Sequence, residues 1–259
     1  MTDATAPVQV PNMPLSRILG AYASDAKYES LRLLRTPAFS IPILAMPILF
    51  YSFFGIILAG RATVGALANN LFVGWTVYGV MGPGLFGFGI LVAVERNQGL
   101  LTFKRALPMP TGSYLASKLV MAFVFAVVVM AMLVTVGVTL GRVTLPPLTL
   151  LTMASVMALG VFPACAVGLF IGSYAPASSA AAFANITYLG MAFLSGLFFP
   201  LSGVMHDIRP MWPTYHLSQL AREAAGLPAE GSPLVHVAVL AAVTAVLTLL
   251  AARRLARRG

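Results

Sequence analysis

The sequence predicts an all-α integral membrane protein with six transmembrane helices. Of its 259 residues, 59% are hydrophobic and only 9% are charged, whereas soluble domains carry about 25% charged residues. The charged residues stand at the ends of long apolar runs, and about 20 apolar residues are enough to cross a bilayer as a helix. A water-soluble globular fold and a disordered chain are both excluded.

Charged residues and turn-forming residues divide the apolar sequence into spans. Residues 143–206 contain no Asp, Glu, Lys or Arg and are too long for one span. The stretch 173–179, which holds a proline and three serines, divides them into two. The predicted spans are 38–59, 67–94, 115–140, 148–172, 180–199 and 233–252.

The distribution of Lys and Arg predicts that both termini are cytoplasmic. With the N-terminus inside, twelve of the 16 basic residues flank the inner face of the membrane, and Arg61, Arg142, Arg209 and Arg222 flank the outer face. Orientation and attraction to anionic lipid explain the net charge of +9 better than nucleic acid does. We therefore expect a multi-pass protein of the cell (inner or plasma) membrane that contacts lipid and no nucleic acid.

Three segments lie outside the predicted spans. Residues 1–14 are expected to form a flexible tail, since they lack the apolar core of a signal peptide. Residues 15–37 place apolar side chains on one helical stripe, which predicts an amphipathic helix in the inner interface, with an ordinary cytoplasmic helix as the alternative. Residues 201–232 are rich in proline and too polar to span, which predicts short re-entrant or surface helices.

Known catalytic and nucleotide-binding motifs are absent or out of context. Gly82, Gly84 and Gly87 match G-x-G-x-x-G, but they lie within a predicted span, where close helix packing explains them better than a dinucleotide does. No G-x-x-x-x-G-K-[ST] loop occurs, so this chain is not expected to hydrolyse ATP. His206 and Asp207 lack the spacing of a zinc site, and no metal or cofactor is predicted in the chain.

Small residues recur at every fourth position of the span 148–172, at Ala164, Gly168 and Gly172. Such a ridge lets two helices approach closely, and packing within the chain is favoured over contact with a second copy. No span interior contains an acidic residue. Ion-driven carriers usually need one, so this class of transporter is disfavoured.

Two stretches outside the span interiors carry recognisable motifs. The inner loop reads Val94-Glu-Arg-Asn-Gln-Gly-Leu-Leu-Thr-Phe-Lys-Arg-Ala-Leu-Pro108. The fifth span ends in Ser195-Gly-Leu-Phe-Phe-Pro200 and is followed by a Pro-Tyr pair and a later arginine. Both stretches resemble the ABC-2 type transporter permeases, which carry an acidic–basic pair, a glycine and a proline in the first loop and a small, aromatic and proline cluster in the second.

The resemblance implies a permease domain over residues 38–259 and an exporter that works as a homodimer. A separate ATP-binding cassette ATPase would bind ATP and Mg and drive it. The uncharged spans suit a lipophilic substrate: a drug, a lipid or a lipid-linked glycan. The implied ATPase-coupling loop contains Glu95, Arg96, Gly99, Leu101, Phe103, Lys104, Arg105 and Pro108, with Glu95 paired to a basic residue or capping a helix. The implied outer re-entrant segment contains Gly196, Phe199, Pro200, Pro213, Tyr215 and Arg222.

Two other functions compete with transport. A membrane enzyme acting on lipid head groups would need a polar cluster, which only His206, Asp207, His216 and Glu223 could supply. A non-transporting membrane scaffold would need no such cluster.

Overall fold

The computed structural model describes residues 14–60, 63–101, 103 and 112–258, which form helices joined by turns and short irregular segments. No strand occurs in these ranges. The helices are α1 (Leu15–Leu34), α2 (Pro37–Phe50, continued by a π-helical stretch, Tyr51–Leu58), α3 (Ala66–Asn97), α4 (Ser113–Thr139), α5 (Pro147–Tyr174), α6 (Ala180–Leu194), α7 (Val204–Asp207), α8 (Pro213–Ala224) and α9 (Pro233–Arg258), with a 3-10 turn at Arg209–Met211.

Five of the described helices are long and apolar enough to cross a membrane: α2 with its π-helical stretch, α3, α4, α5 and α9. They correspond to five of the six predicted spans. The predicted span 180–199 contains a helix of only 15 residues, because α6 ends at Leu194 and Gly196 adopts a left-handed φ of +71° that terminates helices. At 1.5 Å per residue, α6 is about 22 Å long, which is shorter than the ~30 Å hydrocarbon core.

The α3 helix lies at the centre of the bundle and packs against α2, α4, α5 and α6. Its G-x-G-x-x-G stretch serves this packing, because each glycine leaves room for a different neighbour. Gly82 faces Tyr188 of α6, Gly84 faces Ala164 of α5, and Gly87 faces Met121 of α4. The motif therefore has the packing role that its position in a span predicts.

The α5 helix crosses α3 at the predicted ridge of small residues. A Cβ atom added to Gly168 would lie 2.5 Å from the carbonyl oxygen of Leu85, and one added to Gly172 would lie 2.5 Å from that of Phe88. No side chain fits at such distances, so the two backbones touch directly. Packing within the chain is thereby confirmed, and these glycines are not available to a second copy.

The α1 helix precedes the bundle and packs along α4. Leu33 near its end is buried, whereas Leu15 and Leu19 near its start are mostly exposed. The helix stops before Pro37, whose ring disfavours a helical conformation in the preceding residue. Its position in the inner interface stays a prediction. Apart from Pro14, the predicted tail 1–14 lies outside the described residues.

Residues 195–232 fold over one end of the bundle. They contain α7, the 3-10 turn and α8, as the expectation of short helices requires. The α8 helix packs against α3, α5, α6 and α9, and its first nine residues are buried. One contact that holds α8 in place is a hydrogen bond of 2.8 Å from the Thr214 hydroxyl to the Met191 carbonyl of α6.

Candidate functional site

Glu95 lies in the last turn of α3 and is only 7% exposed. Its carboxylate accepts hydrogen bonds from Tyr114 Oη at 2.7 Å, Arg32 Nη2 at 3.0 Å and Lys118 Nζ at 3.1 Å. Arg32 belongs to α1, and the other two donors belong to α4. The expected basic partner of Glu95 is therefore present twice, and one carboxylate joins three helices.

Glu29 of α1 completes a charge cluster, which we define as Glu29, Arg32, Glu95, Tyr114 and Lys118; Lys118 and the two carboxylates are largely buried, whereas the Arg32 side chain is 51% exposed. Glu29 Oε1 lies 2.8 Å from Lys118 Nζ and 2.9 Å from Arg32 Nη2. Two carboxylates face two cations, so the charges of the cluster balance, and ions that are paired are tolerated away from water. Burial lowers the pKa of Arg32, but hydrogen bonds and charges from both glutamates outweigh burial and raise it. Its guanidinium therefore stays charged.

Arg96, the next residue of α3, binds a different neighbour, the end of α5. Its guanidinium donates to the carbonyl oxygens of Ser173 and Ala175, the latter at 2.7 Å. These carbonyls lie at the end of α5, where the last acceptors of a helix lack intrahelical partners and attract cations. Consecutive residues of a helix point about 100° apart. This is why Glu95 and Arg96 reach different neighbours.

The chain turns after α3 and presents an apolar surface. Gly99 adopts a φ of +71°, and its amide donates to the Arg96 carbonyl at 3.1 Å, an ending that glycine commonly provides. Beyond the turn Leu101 is buried, whereas Leu100 is 38% and Phe103 is 63% exposed. We call Leu100 and Phe103 the apolar tip. The predicted loop residues Lys104, Arg105 and Pro108 lie outside the described residues.

The predicted residues of the outer segment divide between turn and helix. Gly196 redirects the chain after α6, and Phe199 and Pro200 are exposed. Pro213 is buried as the first residue of α8, a position where its missing N–H costs nothing.

The two remaining outer residues make polar contacts across the segment. Tyr215 Oη donates to Glu230 Oε2 at 3.1 Å. Arg222 Nη2 donates to Asn70 Oδ1 of α3 at 2.6 Å. Arg222 thus fastens the end of α8 to the start of α3.

The two predicted sets of residues lie at opposite ends of α3. Asn70 and Glu95 are 25 residues apart on this helix, which is roughly 38 Å at 1.5 Å per residue. The structure therefore shows two separate sites joined by one continuous helix. Among the described ranges, no three His, Cys, Asp or Glu side chains form a group that could hold a metal ion.

Sequence reasoning missed the partners Glu29, Tyr114, Asn70 and Glu230. The only signal for the first was its chemistry: the chain has seven acidic residues, and an acid beside a membrane span needs a cation. Tyr114 and Asn70 carry no charge and give no such signal. Their roles follow from helix packing, which sequence spacing does not show.

With both sites in place, comparison with known proteins identifies the family. Residues 23–221 match the description "ABC-2 type transporter". The chain belongs to the ABC-2 type transporter family. A Bacillus subtilis (strain 168) protein named "Putative transport permease YvfS" is 29% identical over 209 residues, which cover 79% of this chain and 84% of that protein. The matched region of this ABC-2 protein begins within α1 and ends within α8, so it contains Glu95 and its partners, whereas Arg222 and Glu230 lie just beyond it.

Proposed function

We propose that this ABC-2 protein is the membrane-spanning subunit of an exporter that is driven by a separate ATP-binding cassette ATPase. The observation that carries the proposal is the apolar tip, which stands next to a helix end held by buried ion pairs. An exposed aromatic side chain on a firm support is what a docking contact requires. The partner would bind ATP and Mg, and two copies of this chain would pair.

The charge cluster and Arg96 supply the firm support. Glu95 connects the end of α3 to α1 and α4, and Arg96 connects it to the end of α5. A push on the apolar tip would therefore reach four helices through polar contacts made within two residues. This arrangement suits the transmission of force from an ATPase better than a loop resting on lipid does.

A cavity between α2, α3 and α6 supports a lipophilic substrate. Its volume is about 320 Å³, and its lining is mostly apolar and aromatic. Phe50, Phe86 and Tyr188 contribute rings, and Asn185 contributes an amide. Pockets with many apolar groups and few polar ones suit drug-sized or lipid-like molecules. The direction of transport, out of the cytoplasm, is part of the proposal.

The membrane-enzyme alternative is disfavoured by the position of its candidate residues. Both ring nitrogens of His216 are engaged, one with the Pro210 carbonyl and one with His236. His206 and Asp207 contact each other at 3.4 Å on an exposed helix, and Glu223 is exposed. These residues do not form the polar cluster that an enzyme needs.

We also propose that both termini face the cytoplasm and that α1 lies in the inner interface against lipid. Cysteine labelling tests this topology in a Cys165→Ala background. An impermeant reagent added to intact cells should label Ser202→Cys at once, and should label Ser16→Cys only after permeabilisation. Both positions are exposed, so burial does not confuse the result. Labelling of Ser16→Cys in intact cells would contradict the proposed orientation.

Phe103→Ala is expected to weaken binding of the ATPase subunit about thirtyfold, because truncating a well-packed docking aromatic costs ~2 kcal/mol. The measurement is co-purification of the ATPase, together with transport and ATP hydrolysis by the complex. The chain by itself is not expected to hydrolyse ATP. Phe162→Ala, which truncates a ring of α5 that is 45% exposed, serves as the control. Full association and transport by Phe103→Ala would remove the main support for the coupling role.

A further inference from the structure

Two buried histidines join α8 to α9. His216 and His236 are each 4% exposed, and their Nδ1 atoms lie 2.8 Å apart. The other nitrogen of each ring faces a backbone carbonyl. His216 Nε2 lies 2.8 Å from the oxygen of Pro210, and His236 Nε2 lies 2.7 Å from the oxygen of Glu230. All four ring nitrogens therefore take part in one continuous series of polar contacts, which connects α8 to α9.

This series of contacts determines how many protons the two rings hold. A carbonyl oxygen only accepts hydrogen bonds, so both Nε2 atoms must carry hydrogen. The Nδ1–Nδ1 distance is that of a hydrogen bond, which needs one hydrogen and one lone pair. The pair then holds three ring protons, one more than two neutral imidazoles, and its net charge is +1.

We propose that His216 and His236 form a proton-binding site, which fastens α8 to α9 only while the two rings share a single added proton. Without that proton, two lone pairs face each other, or one ring turns away from its carbonyl. With a second added proton, two N–H groups face each other. Either change breaks a buried hydrogen bond, and a buried polar group without a partner destabilises the fold.

The charged groups next to the histidine pair cancel each other, so the pair can carry one positive charge. The Glu230 carboxylate accepts hydrogen bonds from Arg209 Nη2 and Tyr215 Oη, each at 3.1 Å. The Tyr215 ring packs edge-on against both imidazoles, with centroid distances of 5.3 and 5.9 Å. Burial raises the pKa of Tyr215, and the Glu230 charge raises it further. Its phenol therefore stays neutral, and one arginine and one glutamate balance each other beside the pair.

The other packed elements contribute no further charge to the pair. The α5 helix packs against both α8 and α9, the α6 helix packs against α8, and neither contains Asp, Glu, Lys or Arg. The α3 helix also packs against α8, but its charged residues, Glu95 and Arg96, lie at the end remote from Asn70, which binds Arg222. The first arginine of α9, Arg253, is 17 residues from His236, about 26 Å along the helix. On α8 itself, Arg222 binds Asn70 and Glu223 is exposed. His206 and Asp207 are exposed on α7.

The site predicts a window of pH in which the junction is tight. Burial lowers the pKa of His216; the Pro210 carbonyl opposes this shift, and the charge of His236 adds to it. The second added proton therefore enters only as the pH falls through this depressed pKa, and the stability of the single-proton state is lost there. That stability is lost again when the pH rises enough to remove the shared proton. A coupled pair of this kind titrates in two steps, so stability follows a bell-shaped curve.

Proton counting by NMR tests the site directly in the full-length chain. The sequence contains three histidines, so nitrogen-15 labelling of histidine gives few signals, and His206→Gln identifies those of the exposed ring. In liposomes titrated from alkaline to acid pH, we expect an interval in which both Nε2 atoms are protonated and one hydrogen is coupled to both Nδ1 atoms. The proposal is overturned if the two buried rings never hold three protons together at any pH.

Hydrogen exchange tests whether the junction between α8 and α9 is most stable in the single-proton state. After correction for the intrinsic effect of pH, amide protection over residues 213–236 should peak in the single-proton window and fall about tenfold on either side, as expected for loss of a charged hydrogen bond. His216→Gln and His236→Gln should abolish the peak while protection of α3 is unchanged. His206→Gln, whose side chain is 52% exposed, should keep it. A flat wild-type profile, or a peak that survives both substitutions, would refute the proposal.

Discussion

Lys118→Met is expected to destabilise the folded chain by about 3–5 kcal/mol, because it leaves an uncompensated buried charge. The Lys118 side chain is 1% exposed, and its Nζ atom lies 2.8 Å from Glu29 Oε1 and 3.0 Å from Glu95 Oε2. Without the ammonium group, the cluster holds two carboxylates and one guanidinium. Chemical unfolding in detergent micelles, followed by circular dichroism, measures the loss.

A double variant separates charge balance from simple packing. Adding Glu95→Gln to Lys118→Met removes one charge of each sign, so the pair of substitutions should destabilise the chain less than the sum of the two single ones. Lys27→Met is the matched control, since Lys27 is exposed on α1. Additive effects in the double variant would show that the cluster is not a coupled network.

Gly168→Val is expected to destabilise the chain by about 3 kcal/mol or more, at the upper end of what overpacking costs. Even one added carbon at this position would lie 2.5 Å from the Leu85 carbonyl oxygen and 2.9 Å from that of Gly84. Backbone atoms cannot rotate away as a side chain can, so α3 and α5 must separate. Thermal unfolding of the purified chain and its yield from membranes report this effect.

The same substitution at Gly190 provides the control. Gly190 also lies within a helix, but nothing lies within 4 Å of an added Cβ atom there. Gly190→Val should therefore change stability only by the helix propensity difference, a few tenths of a kcal/mol. Equal losses at both glycines would mean that the α3–α5 crossing is not the tight contact described above.

The sequence predicts the long helices well because hydrophobicity along the chain is a local property. It fails at α6, where the apolar residues 195–199 look like a continuation of the helix. The backbone instead turns at Gly196, whose φ is +71°, and the following residues pack against α3, where Phe198 stacks on Trp75. Apolar composition reports that a residue is away from water, and does not report whether it is helical.

For contacts between distant residues, the sequence predicts the type of partner and not the residue that supplies it. A cation for Glu95 was expected, but the sequence does not show that Lys118 and Arg32 supply it, from 23 and 63 residues away. Adjacency in sequence is also a poor guide to a site: His206 and Asp207 are neighbours, yet they form only an exposed contact at 3.4 Å. The buried histidine pair joins residues 20 positions apart, and only the packing of α8 on α9 brings them together.

Glu95 and Arg96 bind different helices, and together their contacts restrict how α3 can move. Glu95 pulls the helix end toward α1 and α4, while Arg96 pulls it toward the end of α5. Rotation of α3 about its long axis, in either sense, stretches one of these attachments. Sliding along that axis strains both together. This end of α3 therefore resists twisting, and the motion that remains open to it is displacement together with the helices that it contacts.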